Sequence, residues 1–170
     1  MLTLHLYDDS TNPFRQYMCT NNNQPGSIWT HVTSRQDVIN ELGRLAGKQI
    51  GVLWFYLHGS PGIVRTQKTF LQSIAFDAGT IGLLRNVCFS ALTPYAWIYW
   101  ICGDLGQGPA GDAFLRAAGP AMLGRGGTIL ASTSVLYPPP PLNGWADARG
   151  ATVSPGGAAV TNPISYRVPL

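Results

Sequence analysis

Two unbroken apolar runs dominate the hydrophobic pattern: residues 51–57 (Gly-Val-Leu-Trp-Phe-Tyr-Leu) and 96–101 (Ala-Trp-Ile-Tyr-Trp-Ile). Both have the length of a strand buried on two faces of a parallel sheet. The first stops at His58-Gly59 and the second at Cys102-Gly103, a base-class and a nucleophile-class side chain each followed by glycine. Residues 2–7 alternate Leu2, Leu4 and Leu6 with Thr3, His5 and Tyr7, which predicts a first strand, broken by Asp8-Asp9-Ser10-Thr11-Asn12-Pro13. Residues 127–132 predict a further strand that ends at Thr133-Ser134 on the same sheet edge.

Helical spacing fills the intervals. Ser34 reads as an N-cap with Asp37 three positions on, and Val38, Leu42 and Leu45 follow at helical spacing until Gly47. A second crossover is predicted helical over 81–92. A third helix over 112–123 presents Phe114, Leu115, Ala118 and Met122 on one face, with a kink or early end expected at Gly119-Pro120. The Asn- and Gly-rich residues 17–30, Cys19 included, read as a loop. Residues 59–62 read as a turn, and 63–75 are equally compatible with strand and helix. Alternation of β and α gives an α/β class with a mostly parallel central sheet. The organisation expected is a domain over 1–137 and a Pro/Gly-rich C-terminal extension over 138–170 packed on it. That extension opens with the polyproline-type run Pro138 to Pro141, and periodicity leaves open a hairpin near Trp145 and a strand near Ile164 to Val168.

Composition narrows the function classes. The 170 residues suffice for one domain with a substantial core. Only 11% are charged and 45% are hydrophobic, and the eleven Lys and Arg behind the net charge of +3 form no basic stripe, which argues against nucleic acid as a partner. Three cysteines, at 19, 88 and 102, show no zinc-type spacing, so no metal and no cofactor is expected. The amino terminus lacks a signal-peptide pattern and no segment is long and apolar enough to predict a membrane span. The expected location is cytoplasmic, or secreted without a cleaved signal.

The chemistry follows from the two strand ends. A thiolate is the nucleophile, so a catalytic cysteine needs a nearby imidazole or a positive dipole. Cys102 precedes a glycine-rich turn (Gly103 to Gly111) into a helix, where backbone N–H groups can stabilise a thiolate and an oxyanion, and His58 ends the neighbouring strand. Asp104 is close enough in sequence to orient or charge the site. The same residues have a plainer reading, because free cysteine is among the most buried residue types and a histidine at a strand end is often structural. Cys19, Cys88, His5 and His31 keep that plainer reading, as do Trp54, Trp97 and Trp100. The glycine-rich loop lacks a following Lys and the GxGxxG order, which sets nucleotide binding aside.

His58-Gly-Ser-Pro-Gly62, then Cys102 with its glycine-rich loop and helix, then Gly-Gly-Thr-Ile-Leu-Ala-Ser-Thr-Ser at 126–134 resemble the caspase-like cysteine peptidases over about residues 50–135. The closest likeness is to bacterial CHAT domains and a bacterial caspase-like domain of unassigned function (the DUF4347 type). The resemblance implies a three-layer α-β-α domain and a cysteine endopeptidase acting on a protein or peptide, as a bacterial effector or self-processing module. In it His58 serves as general base or acid and Cys102 as nucleophile, and the backbone N–H groups of Gly59 and Cys102 form the oxyanion hole. Ser132 and Ser134 stand where the family's specificity pocket lies, while Ile101 replaces the family's usual Ala or Gly before the cysteine. The alternative is a catalytically silent fold of the same kind that binds a protein partner.

Overall fold

A computed structural model describes residues 1–8, 25–66, 73–133, 145–146, 148–155, 160–162 and 168–169. In chain order these form β1 (Leu2–Tyr7), β2 (Ser27–His31), α1 (Arg35–Arg44), β3 (Ile50–Tyr56), β4 (His58–Ser60), β5 (Ile63–Thr66) and β6 (Ser73–Asp77). A 3-10 turn (Ile81–Leu84) leads into α2 (Arg85–Ala91), followed by β7 (Leu92–Ile101), α3 (Gly108–Met122) and β8 (Gly127–Ser132). Four short strands complete the described chain: β9 (Trp145–Ala146), β10 (Ala148–Val153), β11 (Val160–Asn162) and β12 (Val168–Pro169).

The main sheet has seven strands in the order β11-β10-β8-β7-β3-β1-β2. The five from β2 to β8 run parallel, and β10 and β11 are antiparallel. β4, β5 and β6 form a separate antiparallel sheet directly after β3. The protein is thus mixed α/β with a mostly parallel sheet, as the alternating pattern predicts.

Local chemistry sets the elements. Ser34 caps α1 by accepting from the Asp37 N–H at 3.2 Å, and Asp37 accepts in return from the Thr33 N–H and hydroxyl at 2.8 Å each. α3 continues past Pro120 to Met122, so of the kink or early end expected at Gly119-Pro120 the early end does not occur. Pro120 is so near the last turn that its missing N–H removes a single ladder bond, and the Leu123 N–H closes on the Gly119 carbonyl at 2.8 Å. β2 corrects the reading of 17–30 as one loop. Its five residues are too few to show against an Asn- and Gly-rich flank, yet they pair in register with β1 from Thr3↔Ser27 to Tyr7↔His31.

The two faces of the sheet differ. Leu4, Leu6, Leu53, Phe55, Ile98, Trp100, Ile129 and Ala131 share one core with the apolar stripes of α1, α2 and α3, so the three helices lie on one face. Among the described residues the opposite face carries no helix, so of the three layers expected one helical layer and the sheet are shown. On that face the register sets Trp29, His5, Trp54 and Tyr99 side by side across β2, β1, β3 and β7. Their rings stack, with centroids 3.8 Å apart for His5 and Trp29 and 3.9 Å for Trp54 and Tyr99.

Candidate functional site at the carboxyl edge of the sheet

Parallel strands deliver all their carboxyl ends to one edge. Counted in chain order, the five parallel strands lie 2-1-3-4-5, so the topological switch point falls between β1 and β3. Asp8 leaves β1 there and His58 leaves β3, while Cys102 and Ser132 end the next two strands.

Asp8 is held by its backbone, whose N–H donates to the Tyr56 carbonyl at 3.2 Å, and the residue is almost fully buried. Its Oδ1 lies 3.9 Å from His58 Nε2, an ion-pair distance, and the His58 side chain is 46% exposed. His58 also opens the β4–β5 hairpin, where Ser60 pairs with Ile63 across Pro61-Gly62. Gly62 at φ +74° supplies the left-handed position that a tight turn after proline needs. The Gly62 N–H donates to the Leu105 carbonyl at 2.9 Å, which fastens the hairpin tip to the turn that follows Cys102.

The backbones of the two predicted catalytic segments touch. A Cβ at Gly59 would fall 2.2 Å from the Cys102 carbonyl oxygen, so only glycine fits this corner. The side chains part company. The last register pair of β3 and β7 is Tyr56↔Ile101, which sets Leu57 rather than His58 beside Cys102. Cys102 accordingly turns into the helix-side core that Leu57 also enters, with zero exposure, and its Sγ lies 3.8 Å from the Phe55 carbonyl. Burial pushes the Cys102 thiol well above its ordinary pKa; a backbone hydrogen bond from Leu57 opposes the rise and the negative charge of Asp8 adds to it. Burial likewise raises the Cys88 thiol.

Several expectations change with this geometry. The Cys102 N–H, expected as an oxyanion donor, donates to Ser132 Oγ at 3.2 Å. Ser132 is buried rather than lining a pocket, and its hydroxyl is shared with the Gly103 and Trp100 carbonyls at 2.5 and 3.4 Å. It staples the end of β7 to β8. Gly59 lies inside β4, paired with Val64. The carboxylate beside His58 is Asp8 and not Asp104, whose carbonyl accepts from the Gln107 N–H within the turn. In that turn the N–H groups of Leu105 and Gly106 also bond to carbonyls, of Cys102 and Ser132, so these three donors are not aimed at a ligand. Ser134 and Cys19 lie outside the described residues.

Asp8 is the functional candidate that reading the sequence missed. The signal was present, since it is the first residue past an alternating strand, at the edge where His58 and Cys102 were expected. No helix among the described residues is long and apolar enough to cross a membrane. No known protein-family profile matches the chain, and no curated protein sequence matches it.

Proposed function

We propose that the protein is a three-layer caspase-like domain whose carboxyl edge is a cysteine-endopeptidase site held in a closed form. The observation that carries the reading is the convergence of Asp8, His58 and Cys102 at the ends of three adjacent strands, with Gly59 in backbone contact with Cys102. In the open form the Cys102 side chain turns out of the core, His58 accepts its proton, and the thiolate attacks a peptide carbonyl; His58 then protonates the leaving amine. Release of the Cys102 N–H from Ser132 accompanies the turn and frees a donor for the oxyanion. A self-processing or effector role suits such latency.

Labelling with a thiol-reactive probe, followed residue by residue, tests the reading. Cys102 is expected to alkylate faster than Cys88, with a rate that rises with pH and is lost in His58→Ala. Against a peptide substrate His58→Ala is expected to lower kcat at least about a hundredfold. Alkylation of Cys102 no faster than that of Cys88 overturns the peptidase.

The second reading is a catalytically silent fold that binds a protein, and the complete burial of the Cys102 thiol favours it. The exposed Trp97 and Tyr95 supply an apolar contact surface for it.

A further inference from the structure

On the helix-free face, oxidisable rings form a continuous path from the surface to the interior. Trp97 is 39% exposed, Tyr99 and Trp54 are half-buried, and Tyr56 is fully buried. Ring centroids along the path are 6.1 Å apart from Trp97 to Tyr99, 3.9 Å from Tyr99 to Trp54 and 5.9 Å from Trp54 to Tyr56, with interplanar angles of 17°, 11° and 5°. The sheet enforces this order. Trp97 and Tyr99 stand two apart on β7, Tyr99 pairs with Trp54 on β3, and Trp54 and Tyr56 again stand two apart, so all four project from one face. Indole and phenol are the aromatic side chains that give up an electron most readily. A phenol does so only when its proton leaves too, because the oxidised phenol is a strong acid. The path ends beside a group able to take that proton. The Tyr56 hydroxyl lies 3.2 Å from His5 Nδ1, within hydrogen-bond range, and burial lowers the His5 pKa from 6.5 to about 4, which keeps the ring neutral.

We infer that Tyr56 is a reversible one-electron redox centre, with His5 as its proton partner and Trp97, Tyr99 and Trp54 as the route for the electron. A one-electron oxidant of the metal-complex or inorganic-radical class takes an electron from the Trp97 indole at the surface. The deficit passes by way of the Tyr99 and Trp54 rings and is filled from Tyr56, whose proton crosses to His5 Nδ1. The products are the reduced oxidant, a neutral phenoxyl radical at Tyr56 and an imidazolium at His5. A one-electron reductant acting at Trp97 reverses both transfers. Neither Cys102 nor His58 takes part, so the centre is independent of the peptidase reading.

Photo-oxidation of the full chain by a ruthenium tris-bipyridyl complex with persulfate, read by electron paramagnetic resonance on frozen samples, tests the inference. The wild type is expected to give a tyrosyl signal that outlasts that of exposed Tyr95. Tyr56→Phe is expected to abolish the persistent signal, and His5→Phe to abolish it with the phenol still in place and the chain still folded in thermal melts. Trp97→Phe, at an exposed position, is expected to lower its yield, and heavy water to slow its rise in the wild type. A wild type without a persistent signal, or a signal that survives either buried variant, overturns the inference. So does a yield unchanged in Trp97→Phe or a rise indifferent to heavy water, and these two measurements decide the matter should the buried variants fail to fold.

Discussion

The helix-side face of the sheet is assembled by volume, and the opposite face by stacking. On the first, Trp100 lies flat against Phe55 at 3.7 Å and meets Phe76 and Phe114 edge-on, all within a closed core. On the second, rings stand side by side along the strand register, half-buried at Trp29, Trp54 and Tyr99, and one of them is a histidine. The difference teaches why the two catalytic candidates behave so differently: Cys102 belongs to the closed face, and His58 stands at the open rim. Which core a side chain joins, and not how near its backbone lies to the other, sets its chemistry.

The largest expected effect is on the closed face. Trp100→Ala is expected to cost about 3–5 kcal/mol of stability, and Trp54→Ala about half as much because its ring is only half-buried. Equal denaturation midpoints for the two variants would break the comparison. The next effect reads the histidine in the stack. Burial lowers the pKa of His5 from 6.5 to about 4, so the unfolded chain binds more protons across that range. Stability is expected to be full above pH 6.5 and to fall as pH drops toward about 4. His5→Phe should flatten this part of the pH profile in thermal melts, and an unchanged slope would remove the buried imidazole from the account.

A smaller effect sharpens the contrast at the carboxyl edge. Ser132→Ala removes the staple on the Cys102 N–H and is expected to cost on the order of 1 kcal/mol while raising the rate of Cys102 alkylation. A loss of stability with no gain in labelling would mean that something other than the staple keeps the thiol shut. The smallest effect is at exposed Trp97, where alanine is expected to change stability by no more than about 0.5 kcal/mol.

Much of the architecture was legible because it rests on local periodicity. β1, β3, β7 and β8 are visible as alternation or as apolar runs, and the Ser34 cap announces α1. What escaped depends on partners distant in sequence. Nothing in Ser27–His31 shows that it pairs with β1, and nothing in Ala148–Val153 shows that it joins the main sheet beside β8. The edge on which the candidate residues fall was legible too, since His58 and Cys102 do follow adjacent parallel strands. The environment of Cys102 was not, because it turns on the pairing of Tyr56 with Ile101, and a shift of one residue would exchange the inward and outward positions. Asp8 was hidden for a similar reason, as its meaning appears only when β3 is laid beside β1.

The hydrogen bond from the hairpin tip to the Leu105 carbonyl ties β4 and β5 to the turn after β7. Gly59 is seated against the Cys102 carbonyl, so the same hairpin meets the chain on both sides of Gly103. Whatever displaces that tip thereby acts on the turn that follows Cys102.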